Sequence, residues 1–520
     1  MGSMDRDAAL RISAWALVLL GSLLNLLNHN EYPLLTAEVA AVAAGLVGLA
    51  AAFGLLHRLA MPRLSFLFTA LLIGLAVDLN SDRFEWVVAA VAAGLVAAWF
   101  RDAVVLKLVA AAFLGVTFFQ LAQGRLSQAA SPPATAPARP AQRPDLAPVV
   151  HILFDAYLGI DGMAEEEATF GALRKANVDF FARRGFRLYG GAYSEHRNTA
   201  NSLPQIFSFG RAPLATVSQR QQRSTPGELA YFKALGGLGY RIHLLQTDYV
   251  DLCAGQGVAD CRSFRRSDLS AIAGTGMSVG DRAETIASTL TGLAVVPAAL
   301  FNNGSKAWAD LSGGTHLDLQ QRGKLFPIAS MKAMDELERL LEGAGRGDAY
   351  VAHFLIPHDP FLYDGSCRVR PRRDWSFEGM PPSRQLRERD YAAQMRCVLT
   401  RLDRLLAALA RSPAGKDAIV IVHGDHGSRI ADEAPQLGAA PSRRDFAMTY
   451  STLFAVRGPG IPAGYDPGRA PVEHLLGELS RSRFRRPPKA HVADRHVVLT
   501  DADWVPRQKV ALPPFGGRPD

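Results

Sequence analysis

Cysteine is scarce: the 520-residue chain has four. That is too few for a dense disulfide scaffold, and no two stand in CxxC spacing, which excludes a thiolate zinc site of the finger kind. No internal repeat is present, so solenoids and propellers are excluded. No nucleic-acid-binding motif is found. Disorder is excluded as well, because 48% of residues are hydrophobic and the mean hydropathy is +0.05. The chain is too long for one ordinary compact unit. A mean hydropathy just above zero then suggests two unlike halves.

The apolar residues concentrate before Gly124. Five segments, roughly 10–27, 34–56, 64–79, 86–100 and 103–121, read as membrane spans, since about 20 residues cross a 30 Å hydrocarbon layer. The third and fourth are short and must borrow flanking residues. Trp86 and Trp99 sit at the ends of the fourth, where interfacial aromatics belong. Arg6, Arg11, Arg58, Arg63, Arg101 and Lys107 fall on one side, and Arg83 and Arg125 on the other. The positive-inside rule therefore predicts a cytoplasmic N-terminus. An odd number of spans then places everything after Gly124 outside. Glu38 and Asp78 fall near the outer ends of spans and read as interfacial.

The whole chain carries 57 Lys and Arg against 49 Asp and Glu, a net +8. Through Leu126 the two signs balance, so the excess belongs to the remainder. A basic outer part suits anionic partners such as phospholipid headgroups, phosphate esters or nucleic acid, and it also suits an arginine-rich composition with no particular partner. The predicted compartment disfavours nucleic acid.

The expected organisation is a transmembrane domain over 1–124, a Pro/Ala-rich linker over 125–147 and an extracytoplasmic domain over 148–520. After Pro148, short apolar runs alternate with helical stretches. Runs at 149–154, 186–189, 240–245, 350–356, 418–422 and 452–456 predict strands; 327–343 and 386–410 show helical periodicity. Buried strands alternating with helices predict an α/β domain with a largely parallel sheet. Ligands in such folds gather beyond the carboxyl ends of the strands. The stretch from Gly210 to Tyr350 reads as an insertion. In it, 294–301 with Trp308 suits a membrane contact or, better, core packing. Cysteine in such a compartment suggests two disulfides, Cys253 with Cys261 across a Gly-containing loop, leaving Cys367 with Cys397.

Four pieces carry chemistry. Asp155 ends the first strand and reads as a metal ligand or a turn cap. Asp425 and His426, held between Gly424 and Gly427, offer an oxygen and a nitrogen, a donor pair suited to zinc or manganese. His358 stands between Pro357 and Pro360, where a fixed histidine can stabilise an anion or protonate a leaving group. His353, within the strand before it, reads as a core histidine. Finally, 198–207 reads as a helix start with Asn201 or Ser202 as N-cap and Pro204 in the first turn. Thr199 then lies beside a helix N-terminus that favours anions, where a metal-bound hydroxyl can act as a nucleophile. Ser202 is the competing nucleophile.

In this order the pieces resemble the sulfatase-like branch of the alkaline phosphatase superfamily. Asp155, Thr199-x-x-Ser202 with Leu203-Pro204, Pro357-His358-x-Pro360 and Asp425-His426-Gly427 carry the resemblance over about 148–460. The helix with Tyr391 and Asp403 and the run ending in Gly458-Pro459-Gly460 add to it. Spans followed by such a domain resemble bacterial lipoteichoic acid synthases and lipid A phosphoethanolamine transferases. The resemblance implies a multi-pass protein of the bacterial inner membrane with a periplasmic or extracellular catalytic domain. It implies one divalent metal, zinc or manganese, held by Asp155, Thr199, Asp425 and His426, with room for a second near His353, His316 or His423. Thr199 would be the nucleophile and His358 a catalytic, phosphate-contacting residue, with His353, Asn201 and Ser202 as further substrate contacts. The implied reaction moves a phospho-headgroup from a membrane phospholipid to an envelope glycan or lipid. The alternative is a membrane-anchored phosphodiesterase or sulfate-ester hydrolase. The chain departs from those transferases in having Asp155 where they use glutamate, and in lacking their run of small residues around the threonine. Cys261-Arg262-Ser263-Phe264-Arg265 superficially resembles the modified motif of true sulfatases, but it lacks the proline and is misplaced.

Overall fold

The structure is a computed structural model. It describes residues 3–60, 64–80, 84–127, 145–212, 229–253, 257–265, 268–293, 303, 304, 307, 325–377, 383–502 and 504–515. The chain forms two compact units, Met1–Pro137 with Ser267–Leu325, and Ala138–Arg266 with Phe326–Asp520. The run 294–301 and Trp308, read as core packing or a membrane contact, lie outside the described residues.

In the first unit, helices α1 (Ser3–His29), α2 (Ala37–Leu59) and α4 (Phe84–Ser127) contain stretches long and apolar enough to cross a membrane, and α3 (Ser65–Asp78) is apolar but shorter. Five separate helices are therefore not seen. The expected fourth and fifth segments share α4, whose backbone leaves helical geometry at Arg101 (φ −149°, ψ 56°). The contacts show that the chain reverses there. Before Arg101, Gly94 and Trp99 pack on Ala70 and Phe66 of α3. After it, Asp102 lies 3.6 Å from Arg11, Phe113 and Thr117 meet Gly21, and the Gln120 carbonyl accepts from Asn28 Nδ2 at 3.1 Å. One end of the bundle thus gathers Arg11, His57, Ser65 and Asp102, and the other gathers Asn25, Asn80 and Gln120. Glu38 at the start of α2 is buried. Its Oε1 accepts from Tyr32 Oη at 2.7 Å and from Arg282 Nε at 3.0 Å.

The second unit is built on an eight-stranded sheet. Its strands are β1 (Val149–Phe154), β2 (Arg187–Tyr193), β3 (Arg241–Thr247), β4 (Val258–Phe264), β5 (Asp348–Phe354), β6 (Ile419–Gly424), β7 (Phe454–Arg457) and β8 (Gly464–Pro471), in the order β4-β3-β5-β1-β6-β7-β2-β8. All neighbours are parallel except those of β7, which runs against β6 and β2. The expected α/β architecture with a largely parallel sheet is present. The central strands β1, β5 and β6 are buried at every residue, as strands covered by helices on both faces must be. A separate antiparallel hairpin, β9 (His496–Thr500) with β10 (Pro506–Ala511), completes the unit. Both expected disulfides, Cys253–Cys261 and Cys367–Cys397, are formed.

Candidate metal centre

The register of the sheet explains why Asp155 and Asp425 meet. Strands β1 and β6 are parallel neighbours, with Phe154 opposite Gly424. Each aspartate is the next residue, so both leave the same end of adjacent strands. The Asp425 amide donates to the Phe154 carbonyl at 3.2 Å and closes the two ends together. Gly424 is required: a Cβ there would stand 2.2 Å from Thr452 Oγ1 and 2.9 Å from the Tyr157 carbonyl. Asp425 Oδ1 accepts from the amides of Ala156 at 3.1 Å and His426 at 2.8 Å. Such bonds to a carboxylate contribute about 1.5–3 kcal/mol each.

Three ligand-type side chains, Asp155, Asp425 and His426, converge with their donor atoms within 4.8 Å of one another, and all three are buried. His426 Nε2 lies 3.3 Å from Asp155 Oδ1 and 3.5 Å from Asp425 Oδ2. Neither oxygen has a hydrogen-bond partner. On the other side of the ring, His426 Nδ1 donates to the Gly427 carbonyl at 2.7 Å. That bond fixes the tautomer with its lone pair on Nε2, the form a metal needs. Two orphaned carboxylate oxygens and one imidazole nitrogen, all without water access, fit a divalent metal ion. Burial pushes the Asp155 carboxyl up, but His358, His426 and Arg429 hold it below the usual carboxylate range. Burial raises Asp425. A divalent ion would offset the cost of burying both.

Thr199 joins this cluster from another element. It is the first residue of α6 (Thr199–Ser208), is fully buried, and places Oγ1 3.4 Å from His426 Nε2. The helix starts earlier than the sequence suggests. Asn198 is the N-cap, and its side chain accepts from the Asn201 amide at 2.9 Å. Asn201 and Ser202 are therefore not caps, and Pro204 lies inside the helix. Ser202 Oγ turns back to the Thr199 carbonyl at 3.5 Å, so its hydroxyl is engaged within the helix while that of Thr199 faces the cluster.

His358 is fixed by its neighbours. Its Nδ1 lies 2.8 Å from both the carbonyl and the carboxylate of Asp359. Burial lowers its basicity, but Asp155 and Asp359 overcome this and raise the imidazole to about 9. Gln394, which the sequence did not single out, braces the turn: its Nε2 donates to the carbonyls of Pro357, His358 and Pro360 at 3.0–3.3 Å. Tyr391 Oη donates to the Ala156 carbonyl and accepts from the Leu158 amide, both at 2.8 Å, holding the loop after Asp155.

His353 is buried, with neither ring nitrogen hydrogen-bonded. Burial lowers its basicity, while the charges of Asp425 and Asp155 oppose this. His423 turns elsewhere. Its Nδ1 faces the Gly424 carbonyl at 2.9 Å and its Nε2 accepts from His151 Nε2 at 2.7 Å. His316 lies outside the described residues. The structure adds Arg429, whose Nη2 is 3.5 Å from His426 Nε2, and Trp504, whose carbonyl accepts from Asn201 Nδ2 at 3.3 Å. Arg429 could have been suspected from its place two residues after the Asp-His-Gly turn; Trp504 carries no sequence signal.

No family model matches the chain, and no curated protein does. Solved structures do. A protein in the alkaline phosphatase superfamily from Vibrio parahaemolyticus is 13% identical, with TM-score 0.40, over 68% of this chain and 73% of that one. The phosphonate monoester hydrolase of Agrobacterium radiobacter is 14% identical, with TM-score 0.40, over 68% of this chain and 76% of that one. The C-terminal periplasmic domain of EcEptC from Escherichia coli is 9% identical, with TM-score 0.39, over 69% of this chain and 92% of that domain. Another similar structure is that of a 2-O GAG sulfatase.

Proposed function

We propose that this chain is a membrane-anchored, metal-dependent phosphotransferase of the sulfatase-like alkaline phosphatase superfamily. Its substrate is a membrane phospholipid, whose headgroup, of phosphoethanolamine or phosphoglycerol type, passes through a covalent phospho-Thr199 to an envelope glycan or lipid. One observation carries the reading: a buried threonine hydroxyl 3.4 Å from the lone-pair nitrogen of His426, beside two orphaned carboxylate oxygens. A threonine used only as a cap has no reason to sit there.

Asp155, Asp425, His426 and Thr199 would hold the metal. When bound, zinc or manganese stabilises charge on the phosphoryl oxygens and lowers the pKa of the Thr199 hydroxyl. The remaining work belongs to side chains. Thr199, ionised by loss of its hydroxyl proton to solvent before substrate binds, attacks phosphorus through Oγ as the bond to the diacylglycerol oxygen breaks. His358, whose basicity Asp155 and Asp359 raise, gives that oxygen its proton. An acceptor hydroxyl then attacks the phospho-Thr199, its proton passing to His358 as the Thr199 oxygen leaves. Gln394 and Asp359 hold His358 in place, and burial excludes bulk water from Thr199.

Residues 1–124 are assigned to the bacterial inner membrane with the N-terminus cytoplasmic, 125–147 to the linker and 148–520 to the periplasmic or extracellular side. The chain reversal at Arg101 supports five crossings. The pairing of Glu38 with Arg282 supports the orientation, because it joins the start of α2 to a segment that follows the last span.

The test is incubation of the full-length protein with mixed phospholipids, lipid extraction, and intact-mass measurement of the protein. A headgroup adduct is expected on the wild type and not on Thr199→Ala. An adduct that survives that substitution overturns the assignment. Repeating the incubation with and without a glycan acceptor separates transfer from hydrolysis.

A further inference from the structure

The hairpin β9–β10 lies beside the cluster, and its turn delivers Trp504. Two guanidinium groups converge on that indole. The Arg197 guanidinium carbon lies 4.0 Å from the ring centre and that of Arg429 lies 5.0 Å. These arginines come from the two segments that carry the chemistry. Arg197 is two residues before Thr199, and Arg429 is three after His426, with Nη2 3.5 Å from its ring nitrogen. Arg197 is 4% exposed, and its Nε donates to Thr500 Oγ1 of β9 at 2.9 Å.

Trp504 is itself held in place. Its carbonyl accepts from Asn201 on the helix of Thr199. The hairpin is tied to the same segment, through the Val498 amide donating to the Glu195 carbonyl at 2.8 Å. Tyr450 Oη donates to the Val498 carbonyl at 3.0 Å. The Trp504 backbone adopts φ 64°, a left-handed conformation that bulky residues rarely occupy and that costs free energy. A hairpin needing only a turn would place glycine or asparagine there. An indole fixed in this way presents its negative face to cations, and guanidinium is the cation that stacks best on it.

We propose that Trp504 is a positioning residue that orients Arg197 and Arg429 as a clamp for a tetrahedral oxyanion at Thr199, the phosphoryl or sulfuryl group of the ester. The clamp rests on the reading of Thr199 as the nucleophile. The indole sets the direction of both guanidinium forks, and each fork offers paired N–H donors to two oxygens of one group. The C-terminal hairpin is then part of the substrate site.

The test uses the full-length, metal-loaded protein in detergent, titrated calorimetrically with inorganic phosphate and, separately, with inorganic sulfate. Trp504→Ala and Arg197→Gln are expected to weaken the preferred anion by about tenfold or more, the scale of one lost charge-assisted contact. Metal content should not change. Trp504→Phe should restore affinity to within about threefold, because a ring face is kept. Tighter phosphate binding assigns the clamp to a phosphoryl ester, and tighter sulfate binding assigns it to a sulfuryl ester. If Trp504→Ala binds both anions like the wild type, the clamp is wrong; if that variant does not fold, Arg429→Gln decides by the same criterion. Phosphate binding that depends on Trp504, in a wild type that forms no Thr199 adduct, keeps the clamp and rejects the nucleophile.

Discussion

Thr199 Oγ1 and His426 Nε2 lie 3.4 Å apart, although 226 residues of chain separate them. The helix start after β2 and the turn after β6 bring them together. Because His426 Nδ1 is committed to the Gly427 carbonyl, the facing nitrogen is a lone pair and the hydroxyl is its neighbour. Asp425→Asn removes one of the two orphaned oxygens. It should lower metal affinity by more than the about 10- to 100-fold that loss of an outer-shell partner costs. Thr199→Ala should retain most of the metal yet form no adduct. Metal analysis after dialysis checks both, and a Thr199→Ala protein with an empty site would make Thr199 chiefly a structural ligand.

His358 as proton donor makes a distinct prediction. His358→Gln should slow release of an alcohol leaving group such as diacylglycerol by about 100-fold or more, the usual contribution of a general acid. Release of p-nitrophenol from an activated phosphodiester needs no proton and should fall much less. Equal losses on both substrates would show that His358 only binds the phosphoryl group.

Much of this site was legible because its two carboxylates each directly follow a buried apolar strand. Asp155 after Val149–Phe154 and Asp425 after Ile419–Gly424 could be placed at carboxyl ends before any geometry was known. The strands that escaped notice in the main sheet are its outermost pair. Gly464–Pro471 contains two glycines and two prolines if Gly464 is included, and Val258–Phe264 is largely half-exposed. Edge strands bury one side at most, so neither shows a continuous apolar run. Trp504 was illegible for another reason. Its role depends on a hairpin folding back on a segment about 300 residues earlier, and no local pattern records that. The helix start is ambiguous in the sequence because Asn198 and Ser202 are both good caps, and only tertiary packing chooses between them.

Glu473 links burial to pH. It is 4% exposed, and neither carboxyl oxygen has a hydrogen-bond partner. Burial, and then the charge of Glu195, raise it well above its ordinary 4.5. A group raised on folding stabilises fully below its unfolded value and loses that contribution as pH rises toward the folded one. Stability should therefore decline from about pH 4.5 upward on account of this residue. Glu473→Gln should flatten that decline and raise the neutral-pH melting temperature, by about 2–4 °C for each kcal/mol recovered. A glutamine variant that melts lower at pH 7 would show that the carboxylate is charged and paired.

The two disulfides close loops of unequal length, with sequence separations of 30 for Cys367–Cys397 and 8 for Cys253–Cys261. In the chain-entropy account the longer contributes about 3.6 kcal/mol and the shorter about 2.5. They also differ in what they hold. Cys397 is on the helix Arg384–Arg411, which carries Tyr391 and Gln394, the residues bracing the Asp155 loop and the His358 turn. Cys253–Cys261 ties β4 at the edge of the sheet. Replacing Cys367 and Cys397 together by serine should therefore lower both the melting temperature and turnover. The corresponding Cys253 and Cys261 variant should lose stability but keep most of its turnover. Melting curves and phosphodiester turnover on both double variants check this. Equal turnover losses would mean that the helix is held by its packing alone.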